Sequence, residues 1–220
     1  MSAGRLGLIV GSSALGIEPP RGEWAVVQRH GAGGYALPHL IDHAANLRAL
    51  AGEGCDRVLA IGSVGGLKRE LGPGTFVCPD DFIALDAAPS LFADERAHSV
   101  PGFDRRWRRR VVAAWSQAAG VAIRDGGVYW QARGPRLETV AEIRLIAAHA
   151  DVIGMTVASE CIVAGELGLA YAAVCVVDNY ANGVGERELT MDELAAGRAA
   201  NAEALVGALE RVLPALSRSS

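Results

Sequence analysis

Three continuous apolar runs constrain the fold of this chain more than any other feature of its sequence. They occupy residues 6–10, residues 58–61 within a predicted strand at 57–61, and residues 171–177. A strand without alternation of apolar and polar residues is buried on both faces, which is typical of a parallel sheet covered by helices. Helical patterns separate or follow these runs, and the last of them extends over residues 190–213 and stops at Pro214. We therefore predict an α/β fold, a three-layer sandwich in which helices flank a mixed, mostly parallel sheet.

Length and composition predict one domain over residues 1–220 and argue against several kinds of partner. A net charge of −4 lacks the basic footprint of a nucleic-acid-binding protein, so we expect no nucleic-acid partner. The four cysteines stand singly without metal-ligand spacing, which is typical of buried thiols in a reducing compartment. No apolar run has the length of a membrane span or a signal peptide. We therefore expect a cytoplasmic protein with no membrane partner and no metal.

Polar residues follow several predicted strands at their carboxyl ends. Glu138, Thr156 and Asp178 follow apolar or turn segments in the second half of the chain. In the first half, a glycine- and serine-rich loop at residues 11–16 follows the first strand, and the pair Arg29–His30 follows the second. Strand ends in an open α/β sheet line the ligand crevice. Hydroxyl, guanidinium and imidazole groups can bind an anion, and the alternative interpretation is a tight turn without a ligand followed by an ordinary surface pair.

Three longer segments carry a family resemblance. They read GVYWQARGPRLETVAEI at residues 127–143, ADVIGMTVASE at residues 150–160 and AAVCVVDN at residues 172–179. Together they resemble the trimeric purine nucleoside phosphorylase family, and most of all its branch that cleaves 5'-methylthio nucleosides. The resemblance implies a nucleoside phosphorylase-like fold and a homotrimer with shared active sites. It also implies phosphorolysis of purine nucleosides without a cofactor, with inorganic phosphate as the co-substrate.

The resemblance also implies a role for individual residues. It assigns the phosphate to Ser13, Arg29, His30, Ser63 and Thr156. It assigns the nucleoside to Leu137, Glu138 and Met155, with the Met155 backbone N–H beside the sugar hydroxyls.

The base contacts implied by the resemblance disagree about the substrate. Asp178 takes the position that faces the purine N7 and the 6-substituent, where it would stabilise or protonate the leaving base as the catalytic residue. Family members that act on adenine nucleosides have Asp there, whereas those that act on 6-oxopurines have Asn. Glu138 indicates the opposite, because its carboxylate accepts from the N1–H of a 6-oxopurine. Because Asp178 faces the group that differs, we favour 5'-methylthioadenosine or a related nucleoside and leave the 6-oxopurine alternative open.

Two further positions concern the 5' end of the sugar and the neighbouring subunit. Met191 and Leu194 stand where ordinary nucleoside phosphorylases bind the 5'-hydroxyl, and an apolar pocket there suits a methylthio group. His98 resembles the family residue that reaches into the neighbouring subunit's site.

Four alternatives remain open from the sequence. A general purine nucleoside phosphorylase would use inosine, guanosine or adenosine, and a nucleoside hydrolase on the same fold would replace phosphate with water. A serine hydrolase would use Ser63, although residue 61 is Ile61 rather than the glycine of G-x-S-x-G. A nucleoside-binding protein without catalysis is the fourth, because the segment before Arg29 is shorter than in the family.

Overall fold

A long, bent strand at the centre of the sheet connects the two halves of the fold. The structure, a computed structural model, describes residues 4–12, 18–31, 34–186 and 189–218. Nine strands form one curled sheet: β1 (Arg5–Val10), β2 (Trp24–Gln28), β3 (Cys55–Gly66), β4 (Phe76–Cys78), β5 (Asp81–Ile83), β6 (Ile123–Asp125), β7 (Val128–Gln131), β8 (Val152–Gly154) and β9 (Ala170–Tyr180). Strand β3 pairs in parallel with β1 and β9, and its last residues pair antiparallel with β8. The carboxyl ends of β2, β3 and β9 therefore lie near one edge.

Helices cover both faces of this sheet, so the predicted layered α/β fold is confirmed. The five helices are α1 (His43–Gly52), α2 (Arg105–Ala118), α3 (Val140–Ile146), α4 (Val157–Glu166) and α5 (Met191–Ser217). Helices α1 and α4 pack in one apolar cluster, and α2 and α5 pack in another on the opposite face. Helix α2 packs on the sheet through one apolar face, because Trp107, Val111 and Trp115 recur at helical spacing and are all buried.

Strand β3 continues through the glycine-rich residues 62–66. A Cβ on Gly66 would lie 2.1 Å from the backbone oxygen of Leu71, and one on Gly62 would lie 3.2 Å from the Cys175 sulfur. The small residues therefore permit close packing around a strand rather than a turn.

Helix α5 runs further than predicted. We expected Pro214 to end the helix, but it lies inside a helix that continues to Ser217. A proline costs one backbone hydrogen bond within a helix. Leu213 and Leu216 are both fully buried on the sheet, so packing of the last turn offsets this cost.

Helix α3 begins after Thr139, where the sequence pattern S/T-x-x-E predicts a helix start. Thr139 accepts from the Glu142 backbone N–H, and the Glu142 carboxylate accepts from the Thr139 N–H, forming a capping box. In the part of the chain that the structure describes, every helix is too short or too polar to cross a lipid bilayer.

The contact between α5 and β9 gives a prediction about stability. A Cβ on Gly197 would lie 1.9 Å from the backbone oxygen of Asp178, so Gly197→Ala must push α5 away from the strand. We expect this variant to lose about 2 kcal/mol of unfolding free energy in urea denaturation, as overpacking does. Gly165→Ala is the matched control, because nothing lies within 4 Å of its Cβ position. The control should gain up to about 1 kcal/mol from helix propensity, and equal effects of the two substitutions would contradict the packing argument.

Candidate functional site

A cleft at the carboxyl ends of β2, β3 and β9 gathers most of the predicted site residues. Its volume is about 220 Å³, and residues before α1 and at the start of α5 cover it. The described residues that line it are Ser12, Arg29, His30, Tyr35, Leu37, Pro38, Ser63, Val64, Gly65, Pro135, Leu137, Glu138, Ile153, Gly154, Met155, Thr156, Asn179, Ala181, Leu189, Met191, Leu194 and Arg198.

Most of the residues to which the family resemblance assigned roles meet in this cleft. The predicted residues that line the cleft are Arg29, His30, Ser63, Leu137, Glu138, Met155, Thr156, Met191 and Leu194. Ser13 lies outside the described residues, although Ser12 from the same loop is on the cleft wall. Asp178 and His98 do not belong to the lining, and His98 is exposed in the segment before α2. The structure thus brings together predicted residues from five separate segments of the chain.

Arg29 is held by a buried ion pair that the sequence did not reveal. Its Nε and Nη2 donate to the two carboxylate oxygens of Glu160 at 2.5 and 2.9 Å, and its Nη1 donates to the Ile61 backbone oxygen at 2.7 Å. The Tyr171 hydroxyl also donates to Glu160, at 2.7 Å. A guanidinium has five N–H groups, so two remain for a ligand. Arg29 therefore lines the cleft with its charge already paired to Glu160.

The pair stays ionised in spite of its burial. Burial disfavours the charge on Glu160, but the charge and hydrogen bonds of Arg29 outweigh that effect and hold the Glu160 pKa below its usual range. Burial likewise disfavours the charge on Arg29, and Glu160 compensates by raising the Arg29 pKa. The result is a rigid pair that joins the end of β2 to helix α4.

His30 is neutral and fixed in one tautomer. Its Nδ1 lies 2.8 Å from the Ala36 backbone oxygen, which only accepts, so Nδ1 carries the proton. The ring stacks on Tyr35 with 4.3 Å between centroids. Burial lowers the His30 pKa. Neutral His30 therefore keeps a lone pair on Nε2, which suits the protonated oxygen of a hydrogen phosphate.

The start of α4 forms the next wall of the cleft. The backbone N–H groups of Thr156 and Val157 donate to the Tyr129 hydroxyl at 3.2 and 3.3 Å, which fixes the first turn of the helix. Thr156 is the N-cap residue, yet its hydroxyl caps no backbone N–H. A helix N-terminus carries partial positive charge and favours anions. The Thr156 hydroxyl and this helix end thus suit the same anion as His30.

The end of β9 departs from the prediction for the base contact. The Asp178 carboxylate accepts from the Ser63 hydroxyl at 2.5 Å and from the Asn201 side-chain amide at 2.8 Å, on the side of the sheet that α5 covers. The strand pairing shifts here, since Val64 pairs with Val177 and Gly65 with Asn179. Asp178 is the extra residue of this bulge, and Asn179 takes its place on the cleft wall. Asn179, rather than the predicted Asp178, therefore lies on the cleft wall at the end of β9.

The same hydrogen bond changes the interpretation of Ser63. Its hydroxyl proton is directed to Asp178, so the Ser63 side chain cannot donate to a phosphate at the same time. A serine nucleophile needs a histidine base within hydrogen-bond reach. The described histidine on the cleft, His30, bonds to Ala36 instead, which leaves the serine hydrolase alternative without a supporting pair.

Glu138 lies half-buried on the opposite side of the cleft. The Asn182 side-chain amide donates to its backbone oxygen at 3.0 Å and fixes the turn that carries it. Burial raises the pKa of the Glu138 carboxyl. As the pH falls, Glu138 is therefore protonated at a higher pH than an exposed glutamate is. Protonation removes the carboxylate that would accept from a purine N–H.

Sequence reasoning missed four residues of this site. Asn179 and Arg198 line the cleft, Glu160 binds Arg29, and Asn201 holds Asp178. Arg198 follows Leu194 by four residues on α5, so helical periodicity would have placed it on the same face. The bulge that exchanges Asp178 for Asn179 has no such signal in the sequence. Within the described ranges, no three His, Cys, Asp or Glu side chains are placed to hold a metal ion.

Comparisons with known proteins show the family to which this chain is related. The family model described as the phosphorylase superfamily matches residues 20–214. A probable 6-oxopurine nucleoside phosphorylase from Archaeoglobus fulgidus is 42% identical over 170 residues, which cover 77% of this chain and 70% of that protein. A probable S-methyl-5'-thioinosine phosphorylase from Methanothermobacter thermautotrophicus is 40% identical over 172 residues, covering 77% of this chain but only 60% of that protein.

A solved structure shows the same fold at lower sequence identity. Methylthioadenosine phosphorylase from Schistosoma mansoni in complex with adenine superposes with a TM-score of 0.78 at 21% identity, covering 96% of this chain and 92% of that one. At this identity the likeness establishes the fold and leaves the substrate to the site residues.

The buried ion pair gives a second prediction. Glu160→Gln leaves the Arg29 charge buried without its counter-charge, so we expect a loss of about 3 kcal/mol or more of unfolding free energy. Tyr171→Phe is the matched control, because it removes one hydrogen bond to the same carboxylate and should cost about 1 kcal/mol. Urea denaturation of both variants measures the difference. A Glu160→Gln variant as stable as Tyr171→Phe would show that the pair does not need its negative charge.

Proposed function

The chain belongs to the phosphorylase superfamily, and on that premise we propose that it is a purine nucleoside phosphorylase that acts on 6-oxopurine nucleosides with a 5'-methylthio or similar apolar 5' group. It transfers the ribosyl group to inorganic phosphate and releases the free purine. The observation that carries the substrate choice is the presence of Asn179, rather than Asp178, in the cleft with Glu138.

The two base contacts then agree. The Glu138 carboxylate accepts from the N1–H that a 6-oxopurine has and an adenine lacks. The Asn179 side-chain amide donates one N–H to the Tyr180 backbone oxygen at 2.7 Å, and its other N–H donates to the purine O6, where negative charge develops as the base leaves. Our sequence-based preference for a 6-amino purine depended on Asp178, and the strand bulge removes that reason. The relatives from Archaeoglobus fulgidus and Methanothermobacter thermautotrophicus, named for 6-oxopurine and thioinosine substrates, support the same choice.

The phosphate end of the cleft supplies the nucleophile. His30, Thr156 and the two remaining N–H groups of Arg29 surround a site at the start of α4. A phosphate oxygen attacks the anomeric carbon while the bond to the purine nitrogen breaks, and the electron pair of that bond leaves with the base. Met155 lies on the wall between the two ends, where its backbone N–H suits the sugar hydroxyls. Positioning and charge stabilisation account for this chemistry without a cofactor, and we place it in cytoplasmic purine salvage.

The 5' pocket and the subunit assembly are further parts of this proposal. Met191 and Leu194 offer an apolar surface to the 5' group, although Met191 is 67% exposed in the single chain. Leu85 and Val100, which flank the segment containing His98, are 79% and 99% exposed. Large apolar side chains with this exposure suit a subunit contact. We therefore propose a homotrimer in which His98 completes a neighbouring site, and light scattering that gave the mass of one chain would contradict it.

A substrate panel tests the proposed reaction. The protein is incubated with 5'-methylthioinosine, 5'-methylthioadenosine, inosine and adenosine, each with and without phosphate, and base release is followed by chromatography. We expect release that requires phosphate and is fastest with 5'-methylthioinosine. Equal release without phosphate would identify a nucleoside hydrolase, and faster release from inosine would identify a general purine nucleoside phosphorylase. No release from any nucleoside would leave a binding protein.

Exchanging the two residues at the end of β9 tests the base contact. In Asn179→Asp an acceptor replaces the amide donor, so kcat/KM for 5'-methylthioinosine relative to 5'-methylthioadenosine should fall by about tenfold or more. Asp178→Asn is the matched control, because it makes the reverse change one residue earlier on the buried side. It should alter stability through its Ser63 and Asn201 contacts and leave the substrate ratio within about twofold. A ratio that changes in Asp178→Asn and not in Asn179→Asp would restore Asp178 as the base contact.

A further inference from the structure

Arg198 is a cation on the cleft wall to which no role has been assigned above. It follows Met191 by seven residues and Leu194 by four, so all three lie on the stripe of α5 that faces the cleft. The side chain is half-buried and makes no hydrogen bond or ion pair with any described residue. Contacts before and after Arg198 along α5 fix the helix here. Gly197 packs on the Asp178 backbone, and Asn201 bonds to the Asp178 carboxylate. An arginine held at a cleft without a partner is available to a ligand.

The anion end of the cleft needs an unpaired positive charge, and Arg198 provides one. The positive charge of Arg29 is paired with Glu160, and His30 is neutral. Phosphate carries between one and two negative charges near neutral pH and binds best to unpaired cations. Among the described side chains that line the cleft, Arg198 is the arginine without a carboxylate partner.

The position of Arg198 indicates which part of the substrates it meets. Its positive charge acts on His30, where it contributes to lowering the pKa of the imidazole. His30 belongs to the phosphate end of the cleft, whereas Met191 and Leu194 precede Arg198 on α5 and face the 5' group. The Ser63 and Asn201 side chains both bond to Asp178, so this part of α5 lies against the end of β3.

We propose that Arg198 is a further phosphate-binding residue, which binds the oxyanion from the α5 side of the cleft while His30 and Thr156 bind it from the sheet side. The assignment rests on the proposed phosphorolysis. Helix α5 then contacts both substrates, because it covers the 5' group of the nucleoside and also supplies the cation that binds phosphate.

Three variants test this assignment. Arg198→Gln removes the charge, Arg198→Lys keeps the charge but not the planar fork, and Arg109→Gln makes the same charge change at an exposed position on α2. Phosphate KM is measured with saturating nucleoside, and nucleoside KM with saturating phosphate. Calorimetry with inorganic phosphate alone measures binding without catalysis. Thermal unfolding establishes that each variant is folded, and the lysine variant preserves the test if the glutamine variant is not.

The expected changes in KM and Kd distinguish a contact of Arg198 with phosphate from a contact with the nucleoside. Arg198→Gln should raise both the phosphate KM and the calorimetric phosphate Kd by about tenfold or more, with Arg198→Lys between it and the unchanged protein. The nucleoside KM of Arg198→Gln, and all constants of Arg109→Gln, should stay within about twofold.

Other outcomes overturn the assignment. Unchanged phosphate constants in Arg198→Gln, or an effect confined to the nucleoside KM, would show that Arg198 contacts the 5' substituent or nothing. The unchanged protein could bind phosphate in the calorimeter and yet catalyse no phosphorolysis. The proposed function would then fail. The phosphate Kd of Arg198→Gln would still decide whether Arg198 binds phosphate. No phosphate binding by the unchanged protein would refute the Arg198 assignment itself.

Discussion

The candidate site depends on the buried pair between Arg29 and Glu160. Two charges without water are costly, and this pair persists because every carboxylate oxygen is hydrogen-bonded and the geometry is bidentate. Through it the end of β2 is joined to α4, and through Tyr171 to β9. The walls of the cleft come from these same elements. The pair thus serves mainly to hold the walls in place, and only the two N–H groups that Arg29 has left are available to the ligand.

The strand bulge at the end of β9 decides the chemistry of the base end. One extra residue turns Asp178 towards α5, where Ser63 and Asn201 bind it, and brings Asn179 to the cleft. An acid and an amide differ in whether they donate or accept, so under the proposed function a displacement by one residue changes which purine is favoured. The Asp178 carboxylate has a different task, which is to fix α5 against the sheet.

Helix α5 brings together the two ends of the cleft. Gly197 allows it to approach the β9 backbone closely, and Asn201 bonds to that strand. One stripe of this helix places Met191, Leu194 and Arg198 together on the wall of the cleft.

The sequence by itself determined the layered α/β fold, since uninterrupted apolar strands must be covered on both faces, and it placed most of the cleft residues at strand ends. It also fixed the start of α3, because a capping box is a local interaction. The tertiary structure alone decided three features that depend on contacts distant along the chain: the burial of Arg29 against Glu160, the exchange of Asp178 for Asn179, and the continuation of α5 through Pro214. A charge pair between residues 29 and 160 and a register shift between two strands leave no periodic trace in the sequence. Packing of Leu213 and Leu216 overrides the local preference of proline, because buried apolar area outweighs one missing hydrogen bond.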